Sequence, residues 1–265
     1  MRSNRKVYHL DLTARQTEDA RFAFLPGDPD RVPHIARAFD PASREIASKR
    51  EYRSWLGRMD GVPVVVTSTG IGGSSTSIAV EELALLGVRL FLRVGTAGAI
   101  QPHIKVGDVI ITTGAVRLDG ASHHYAPPEY PAVSDHRVVD ALVTSAQELN
   151  VTHYVGITTS SATFYPGQER IDSYSGYVVG ALRGSLEQWK RLGVLDYEME
   201  SSTLFVVCSA LGLRAGCVCG VIDDRTEGEE VNSSRVHPTV ERTVQVAVRA
   251  MRLLIRQDLE LQPSG

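Results

Sequence analysis

The sequence is poor in the features that mark secreted, membrane-spanning or nucleic-acid-binding proteins. Only three of its 265 residues are cysteine, too few for a disulfide framework. No apolar run is long enough to cross a bilayer, and the strongest one, Leu204–Leu213, indicates a buried helix. Charges of both signs are mixed along the chain and the formal net charge is −3, so neither a nucleic-acid groove nor a membrane-binding patch is expected.

Nucleotide-binding signatures and metal-ligand spacings are also absent from the sequence. Neither GxGxxG nor GxxxxGK[ST] occurs, which disfavours dinucleotide-binding and P-loop proteins. Cys217 and Cys219 lie on a predicted strand without the CxxC spacing of zinc and redox sites, so buried, reduced thiols are the favoured interpretation. His123 and His124 are adjacent in a predicted loop and are not spaced to share a metal ion, so solvated side chains are favoured there.

The chain reads as one domain. It contains no internal repeat, low-complexity segment or linker-like change in composition, so a single domain over residues 1–265 is expected. The segment Met1–Lys6 is basic and no apolar core follows it, so no signal peptide is expected and the location is predicted to be cytoplasmic. Residues 1–6 are predicted to be disordered.

The stretch Val64–Ile100 has the pattern of a βαβ unit. Its parts in chain order are a buried strand at Val64–Val66, a loop at Ser68–Ser75, a helix at Ile78–Leu86 ended by Gly87, a strand at Leu90–Val94 and a turn at Gly95–Gly98. Such a unit places its two strands parallel. Ligands of open α/β sheets bind beyond the carboxyl ends of the strands, where both glycine-containing segments are predicted to lie.

The rest of the chain continues the alternation of strands and helices, so the fold class is α/β. Strands are predicted at Phe22–Leu25, Val106–Thr112, Val155–Thr159 and Cys217–Ile222. Helices are predicted up to Phe39 with Arg31 in the first turn, from Ala132 to Asn150, at Met199–Leu211 and at Thr239–Leu259. The segment Tyr174–Gly193 has no clean period and is predicted to be a long loop with a short helix, of the kind that often forms a lid.

Two arginines lie where a ligand is expected. Arg93 is near the end of an otherwise apolar strand, and a buried guanidinium needs a partner. That partner is either a phosphate or carboxylate ligand or an internal glutamate such as Glu81 or Glu82, and the sequence leaves both open. Arg31 lies in a first helical turn, where the helix dipole does not favour a cation, so it either shares an anion with the helix N-terminus or is a solvated surface residue.

The predicted strand ends collect a set of side chains that suits one kind of ligand. The set comprises Gly27, Arg31, Arg93, Thr96, Gln168, Arg170, Glu198, Glu200 and Arg225. Arginines beside glycine turns indicate an anion, two glutamates indicate hydroxyl groups, and a Gln–Arg pair near Phe164 indicates a planar polar ring read by its edge. An anion, a polyol and a heteroaromatic ring together describe phosphate and a nucleoside.

The segments that carry these residues resemble the nucleoside phosphorylase-I family. They are Val7–Leu10, Pro26–Arg31, Ser68–Gly73, Arg93–Gly98, Phe164–Arg170 and Tyr197–Ser201, and they follow the family's order over essentially the whole chain. The resemblance implies a single-domain, three-layer αβα fold with a mixed central β-sheet. It also implies a homohexamer, built as a trimer of dimers, with each site shared between two subunits.

The resemblance further implies a reaction and its co-substrate. The reaction is the pentosyl transfer in which uridine is cleaved by phosphate to uracil and ribose 1-phosphate, in pyrimidine nucleoside salvage. Inorganic phosphate is the co-substrate, no organic cofactor is expected, and K⁺ is expected at the subunit interface. Nucleic acid and membrane are not expected as partners.

Site residues carry over from the family by the matching motifs. Phosphate is expected at Gly27, Arg31, Arg93 and Thr96, with Arg50 of the partner subunit. The ribose is expected at Glu198, Met199 and Glu200, with His9 of the partner subunit. The base is expected at Phe164, Gln168 and Arg170, with Arg225 close by. The monovalent cation is expected at Glu51, the carbonyl of Ile71, and Ser75.

The chemistry of such a site needs neither a covalent nucleophile nor a metal. Orienting phosphate below C1′ is a proximity effect, while Arg170 and the Gln168 amide stabilise charge that develops on the base. Glu200 is expected to bond the ribose hydroxyls and favour the cationic sugar. A non-catalytic nucleoside-binding protein is the alternative from another class, and the complete set of phosphate arginines disfavours it.

One residue departs from the pattern of family members that cleave uridine. Asp223 stands where they usually have an apolar residue, and members that cleave purine nucleosides have an aspartate at about this position. Purine or broad base specificity therefore remains open. Asp223 is either a proton donor to the base or a structural carboxylate that orients Arg225, and the structural role is favoured because Gln168 and Arg170 keep the uracil-reading pattern.

Overall fold

The computed structural model describes residues 6–226 and 233–260, with the side chains of 233–235 left out. Most of the segment predicted to be disordered, residues 1–5, lies outside the described residues. The helices and strands are β1 Phe22–Leu25, α1 Arg31–Phe39, β2 Arg44–Lys49, β3 Tyr52–Met59, β4 Val62–Thr67, α2 Gly73–Leu86, β5 Leu90–Ala99, β6 Val109–Leu118, α3 His136–Glu148, β7 His153–Ser161, α4 Ser185–Arg191, β8 Asp196–Glu198, α5 Ser201–Ala210, β9 Arg214–Asp224 and α6 Ser233–Glu260. Short 3₁₀ turns lie at Ala121–His124, Pro166–Gln168 and Gly180–Leu182.

The nine strands found in the described residues form one mixed sheet. Its order is β2-β3-β4-β1-β5-β8-β7-β6-β9, and β9 also pairs with β5. Five strands therefore form a closed ring, in the order β5, β8, β7, β6 and β9. The sheet continues on one side of this ring with β1, β4, β3 and β2. Along one edge of β5 the partner changes, from β1 at Leu90–Arg93 to β8 at Gly98–Ala99. The other edge pairs with β9 over the whole length of β5.

Helices cover both faces of this sheet. One core cluster packs α1, α3 and α6 against it through side chains such as Ile35, Leu142 and Met251. A second cluster packs α2 and α5 against the other face, with Leu83 and Phe205 fully buried. The mixed central sheet between two helical layers confirms the predicted αβα fold class. No helix among the described residues is both long and apolar enough to cross a bilayer.

The predicted βαβ unit is present, with one strand inserted. β1 lies between β4 and β5 and is parallel to both, so the two strands of the unit are parallel as predicted. Helix α2 begins at Gly73, before the predicted start at Ile78, and Gly87 ends it in the left-handed region at φ 118°. The prediction of β1 at Phe22–Leu25 is correct to the residue.

The turn predicted at Gly95–Gly98 is wrong, because these residues continue β5 as far as Ala99. Gly95 pairs with Cys219 of β9 in a parallel ladder, and tertiary pairing outweighs the local turn preference. Small residues are needed here for close approach: a Cβ on Gly95 would lie 2.8 Å from the Sγ of Cys219 and 2.9 Å from Nη2 of Arg93.

Other element boundaries differ from the predictions in ways that follow from caps and pairing. Helix α3 begins at His136 rather than at Ala132, because the Asp135 side chain accepts from Arg137 N and Val138 N as the N-cap. Strand β6 is Val109–Leu118 instead of Val106–Thr112, and α5 begins at Ser201 instead of Met199. Strands β2, β3 and β8 were not predicted. β2 is largely exposed and carries charged residues, so it lacks the apolar signal of a strand.

The cysteines match their prediction. Cys208, Cys217 and Cys219 are all buried and free. The Sγ atoms of Cys217 and Cys219 lie 3.6 Å apart on the same face of β9. The interpretation as buried thiols is therefore confirmed for both residues of the pair.

Candidate active site

A cavity of about 670 Å³ opens beyond the carboxyl ends of β1, β4 and β9 and beside the second half of β5. Its lining includes every predicted ligand residue that the sequence placed within one subunit, except Arg225. These residues are Gly27, Arg31, Arg93, Thr96, Phe164, Gln168, Arg170, Glu198, Met199 and Glu200. Asp223 also lines the cavity. Segments that are distant in sequence thus converge on one concave site.

One end of the cavity, here called the anion end, is built around Arg93. Arg93 is 5% exposed, and its Nε donates to Glu198 Oε2 at 3.0 Å while its Nη2 pairs with Glu200. Nη1 is buried and, among the described residues, has no hydrogen-bond partner. A Cβ on Gly27 would lie 4.0 Å from Nη1, so this unpaired donor faces the Gly27 turn. A buried N–H without a partner is costly, and an anion there would satisfy it.

Arg31 adds a second guanidinium to the anion end. Its Nε lies 3.8 Å from Asp28 Oδ2. Burial lowers the pKa of Arg31, Asp28 opposes the shift, and the like charge of Arg93 adds to it. Two neighbouring cations that repel one another, with one donor that has no partner among the described residues, form an electrostatic site for an anion.

The internal partners predicted for Arg93 are wrong. Glu82 instead accepts from the main-chain N of His9 at 2.9 Å and of Leu10 at 2.8 Å. Arg93 pairs with Glu198 and Glu200, which follow it by more than a hundred residues. The two interpretations of Arg93 are therefore not exclusive, because two of its nitrogens bind glutamates and the third remains for a ligand.

The two glutamates at the centre of the cavity differ in their hydrogen bonds. Glu198 accepts from Arg93 Nε, from Ser160 Oγ and from the main-chain N–H groups of Glu200 and Ser201. These donors use the hydrogen-bonding capacity of the Glu198 carboxylate, so its role is to hold Arg93 and the start of α5 in place. Glu200 accepts from Gly72 N at 2.6 Å and pairs with Arg93, which leaves lone pairs for hydroxyl groups.

The charge of Glu200 depends on its partner. Burial raises the pKa of Glu200, and the neighbouring Arg93 opposes the shift. The carboxylate form is therefore stabilised by the same guanidinium that faces the anion end. The anion end and the centre of the cavity are electrostatically linked through this pair.

The other end of the cavity, here called the base end, is formed by Phe164, Gln168, Arg170 and Asp223. Gln168 and Arg170 are each 3% exposed, and Arg170 Nε lies 3.4 Å from Gln168 Oε1. The Phe164 ring lies 4.3 Å from Cζ of Arg170 and is partly open to solvent. An amide, a guanidinium and an aromatic face together suit a flat ring with polar edge groups.

Asp223 has a structural partner, but it is not the one that the sequence predicted. Its Oδ2 accepts from Arg170 Nη2 at 2.6 Å, whereas the prediction was that it orients Arg225. Arg225 Nη1 donates to the carbonyl of Gln168 at 2.7 Å, and its guanidinium lies over the Tyr197 ring. Arg225 thus holds the main chain at the base end in place and does not itself line the main cavity.

His9 and Arg50 lie outside the cavity of their own subunit. The His9 ring binds Glu82 through Nδ1 at 2.8 Å, and Arg50 is exposed in the turn between β2 and β3 with φ 57°. Their roles toward a neighbouring site stay predictions.

The predicted cation ligands are gathered around Gly70. Glu51 and Ile71 line the cavity, and Ser75 Oγ donates to the Ile71 carbonyl at 3.2 Å. A Cβ on Gly70 would lie 2.8 Å from Cγ of Glu51 and 3.6 Å from Oγ of Ser75. Within the described ranges, no group of three or more His, Cys, Asp or Glu side chains is placed to hold a metal ion.

Some site residues were missed by the sequence reasoning. Ser160 holds Glu198, the Gly72 N–H holds Glu200, and Tyr197 lines the cavity and supports Arg225. Gly72 and Tyr197 lie within segments that the sequence did single out, without a role assigned to them, and Ser160 directly follows a predicted strand. The available signal was their position near a strand end or a glycine pair. The side chains that they contact are not adjacent in sequence, so the sequence did not indicate those contacts.

Fold and cavity together define a phosphorylase-type protein, in which an anion site, a carboxylate and a ring-binding edge share one pocket. The chain belongs to the phosphorylase superfamily, whose family model matches residues 21–257. This match confirms the family indicated by the sequence motifs.

Relatives with assigned names agree with the family. The chain is 57% identical over 249 residues to the uridine phosphorylase of Haemophilus influenzae, a match that covers 94% of this chain and 98% of the relative. It is 54% identical over 253 residues to the uridine phosphorylase of Escherichia coli, covering 96% and 100%. A guanosine phosphorylase of Halorubrum lacusprofundi is 35% identical over 239 residues, covering 88% and 93%.

Proposed function

We propose that the protein cleaves uridine with inorganic phosphate, giving uracil and ribose 1-phosphate. The observation that carries the proposal is the buried Nη1 of Arg93, which has no hydrogen-bond partner in the part of the chain that the structure describes. It faces Gly27 beside Arg31, in the same cavity as Gln168 and Arg170. A protein that only bound nucleosides would have no use for a guanidinium held open for an anion. The uridine phosphorylases that resemble the chain over nearly its whole length support the choice of substrate.

In the proposed reaction, the anion end holds phosphate below the sugar carbon that is attacked. Arg93 donates through Nη1, Arg31 contributes charge, and the main chain at Gly27 and the Thr96 side chain complete the subsite. The glycosidic bond breaks as the C1′–O bond to phosphate forms, so the pentosyl group moves from nitrogen to phosphate oxygen. Holding both reactants in one cavity supplies a proximity effect.

The carboxylate of Glu200 acts on the sugar. In the transition state the ribose carries positive charge, and a buried carboxylate nearby stabilises it more than the neutral ground state. Glu200 also accepts hydrogen bonds from ribose hydroxyls, with Met199 packing beside the sugar. Glu198 contributes indirectly, because it fixes Arg93 and the Glu200 main chain.

The base end receives the negative charge that moves onto uracil. Arg170 and the Gln168 amide donate to the base oxygens, and Phe164 covers the ring. The C–N bonding electrons remain with the base, which takes up one proton to leave as uracil. Hydrogen phosphate gives up its proton once its oxygen is bonded to C1′, so the protons balance, and no covalent nucleophile is required.

The complete active site is composite in this proposal. His9 and Arg50 of each subunit complete the cavity of the partner subunit, in a hexamer arranged as a trimer of dimers. Support comes from the position of both residues outside their own cavity. Glu51, the Ile71 carbonyl and Ser75 offer a carboxylate, a carbonyl and a hydroxyl oxygen, which is the donor chemistry that K⁺ requires, and these residues would hold it at the subunit interface.

The setting of the reaction is pyrimidine nucleoside salvage in the cytoplasm. Three buried, free cysteines support a reducing compartment.

A second candidate, cleavage of purine nucleosides, is favoured by one observation. Asp223 Oδ1 is buried and, in the described part of the chain, has no hydrogen-bond partner. A carboxyl group at the base end is placed to pass a proton to N7 of a leaving purine. The guanosine phosphorylase relative shows that this activity occurs among proteins similar to the chain.

One experiment separates these proposals. The purified protein is incubated with uridine, thymidine, deoxyuridine, inosine and guanosine, with and without phosphate, and the free base and the sugar phosphate are measured. We expect uracil and ribose 1-phosphate from uridine only when phosphate is present. Equal release of uracil without phosphate would show hydrolysis and overturn the proposal, and faster cleavage of inosine than of uridine would replace it by the purine candidate.

A further inference from the structure

The two residues that read the base flank a third residue whose side chain leaves the cavity. Gln168 and Arg170 are buried at the base end, while Glu169 between them adopts a left-handed backbone at φ 54° and ψ 38°. Few non-glycine residues adopt this conformation. The Glu169 backbone therefore turns its neighbours toward the base end and its own carboxylate toward α4.

The Glu169 carboxylate caps helix α4. It accepts from Leu186 N at 2.7 Å and from Gly184 N, and Ser185 Oγ lies 3.4 Å away. The N-cap of α4 is Gly184, which has no side chain to satisfy the first N–H groups of the helix. A carboxylate at this position satisfies them and is also favoured by the helix dipole.

Glu169 consequently ties the two ends of one loop together. Residues 171–184 leave the base end directly after Arg170 and return to the Glu169 carboxylate at Gly184. A loop whose ends are joined in this way is an Ω-loop, and such loops are frequently functional. It is open to solvent along much of its length, with Ile171 69% and Tyr177 57% exposed.

A second, smaller cavity lies between this loop and the base end. It measures about 330 Å³, and Ile100, Glu169, Ile171, Leu186 and Arg225 are among its lining residues. Leu186 and Trp189 of α4 pack against a small apolar cluster, whereas the cavity leaves the start of the loop less closely packed. The hydrogen bonds of Glu169 join the end of the loop at Gly184 to the base-reading segment, and the bond from Arg225 Nη1 to the Gln168 carbonyl fixes that segment.

We propose that Glu169 is a positioning residue for base recognition. Its carboxylate joins α4 and the end of the 171–184 loop to the backbone between Gln168 and Arg170. The position of the loop therefore determines how both side chains are oriented toward the base. This inference rests on the proposed function, because the ligand at that end is taken to be a nucleobase. The phosphate subsite at Arg31 and Arg93 lies outside this connection.

The inference is tested with Glu169→Ala and Glu169→Gln. The glutamine keeps one acceptor oxygen and loses the charge, whereas the alanine removes both oxygens. We expect Glu169→Ala to raise the KM for uridine about tenfold, the size expected from losing one or two hydrogen bonds to a charged acceptor, with Glu169→Gln in between. The KM for phosphate should stay within about twofold, because an effect limited to the base end leaves the anion end intact.

Glu187→Gln is the matched control, since Glu187 is an exposed glutamate on α4 whose partner is Arg191. It should behave as wild type in both KM values. Equal increases in the two KM values for Glu169→Ala, or a lower Tm with both KM values unchanged, would show a purely structural residue and overturn the inference.

Amide hydrogen exchange gives a readout that does not depend on turnover. Exchange in residues 171–191 should be faster in Glu169→Ala than in wild type and in Glu187→Gln, and uracil should slow it less in the variant. Unchanged exchange in Glu169→Ala would overturn the inference. If wild type cleaves no nucleoside in the presence of phosphate, the proposed function fails, and the exchange measurement still decides whether Glu169 fixes the loop.

Discussion

Arg170 Nη2 donates to Asp223 Oδ2 at 2.6 Å, and both side chains are almost fully buried at the base end of the cavity. Pairing with Asp223 holds the guanidinium in place and neutralises part of its charge. A neutralised Arg170 stabilises an anionic uracil less than a lone guanidinium would. In the proposed reaction, the pair makes base specificity depend on one carboxylate.

Asp223→Asn should leave uridine phosphorolysis within roughly tenfold of wild type, which is about 1.4 kcal/mol of barrier. The asparagine oxygen still accepts from Arg170, so the side chain keeps its position while its charge is lost. Any weak cleavage of inosine should disappear, because a neutral amide cannot give a proton to a leaving purine. The measurement is kcat/KM for both nucleosides.

The adjacent Asp224→Asn is the control for that change. Asp224 binds Lys105 and Thr226 and does not line the main cavity, so its loss should leave the ratio of the two kcat/KM values unaltered. If wild type prefers inosine and Asp223→Asn removes that preference, the uridine assignment is wrong.

Arg93→Ala should reduce kcat/KM for phosphate by a hundredfold or more, about 3 kcal/mol, because the phosphate loses a charge-assisted bond. The change also leaves Glu198 and Glu200 without their cation, so the carboxylate of Glu200 is protonated more readily. Steady-state kinetics at varied phosphate concentration measure the effect.

Arg191→Ala serves as the comparison, since Arg191 is an exposed arginine that pairs with Glu187 on α4. Its kinetics should match wild type. Wild-type phosphate kinetics in Arg93→Ala would remove the main support for the anion end.

Mixing His9→Ala and Arg93→Ala proteins under conditions of subunit exchange should restore about a quarter of wild-type activity. The reason is that half of the re-formed dimers are mixed, and one of the two sites in each mixed dimer contains both native residues. Each variant alone should be nearly inactive. Labelled subunits verify the exchange, and an inactive mixture with verified exchange would argue for a site built from a single subunit.

Asp196→Asn should stabilise the protein, and by more at pH 8 than at pH 4. Asp196 is fully buried on β8 and its carboxyl oxygens have no hydrogen-bond partner in the described ranges. Burial, with a further contribution from Glu198, raises the pKa of Asp196 to about 8. Between pH 3.8, the usual pKa, and about pH 8, the Asp196 carboxyl is deprotonated in the unfolded chain and protonated in the folded chain. The stability of the wild-type protein therefore falls as the pH rises through this range.

Thermal unfolding from pH 4 to pH 8 measures this effect. The gain in unfolding free energy for Asp196→Asn should grow with pH and reach the order of a few kcal/mol near pH 8. Asp140→Asn, at an exposed position of α3, should follow wild type at each pH. A gain for Asp196→Asn that is the same at every pH would mean that the carboxyl does not retain its proton in the folded state.

Local patterns predicted the elements that depend on local residues. β1 is a short apolar run bounded by a turn, and its limits were correct. The turn at Gly95–Gly98 was wrong because glycines usually mark turns, whereas here they allow β9 and Arg93 to come close to β5. Pairing between strands that are distant in sequence determines the structure of such a segment, and this pairing is not evident from a single sequence.

The same reasoning applies to the candidate site. Motifs indicated the side chains that line the cavity, because strand ends and glycine turns mark the edge where ligands bind. They did not indicate which side chains pair. Arg93 meets Glu198 across 105 residues of sequence, and Arg170 meets Asp223 across 53. The nearby Glu81 and Glu82 were the natural candidates by proximity alone, and both were wrong as partners of Arg93.

The change of partner along β5 has a consequence for how such a site can evolve. β1 leaves one edge of β5 after Arg93, and β8 joins the same edge only at Gly98. The sheet therefore branches, and the gap between the diverging strands is a pocket produced by chain topology, independent of the shape of any single loop. Replacing side chains around the mouth of this gap can alter which nucleobase fits while every strand keeps its register. In a fold of this kind, the substrate can change during evolution while the strands and their pairing stay the same.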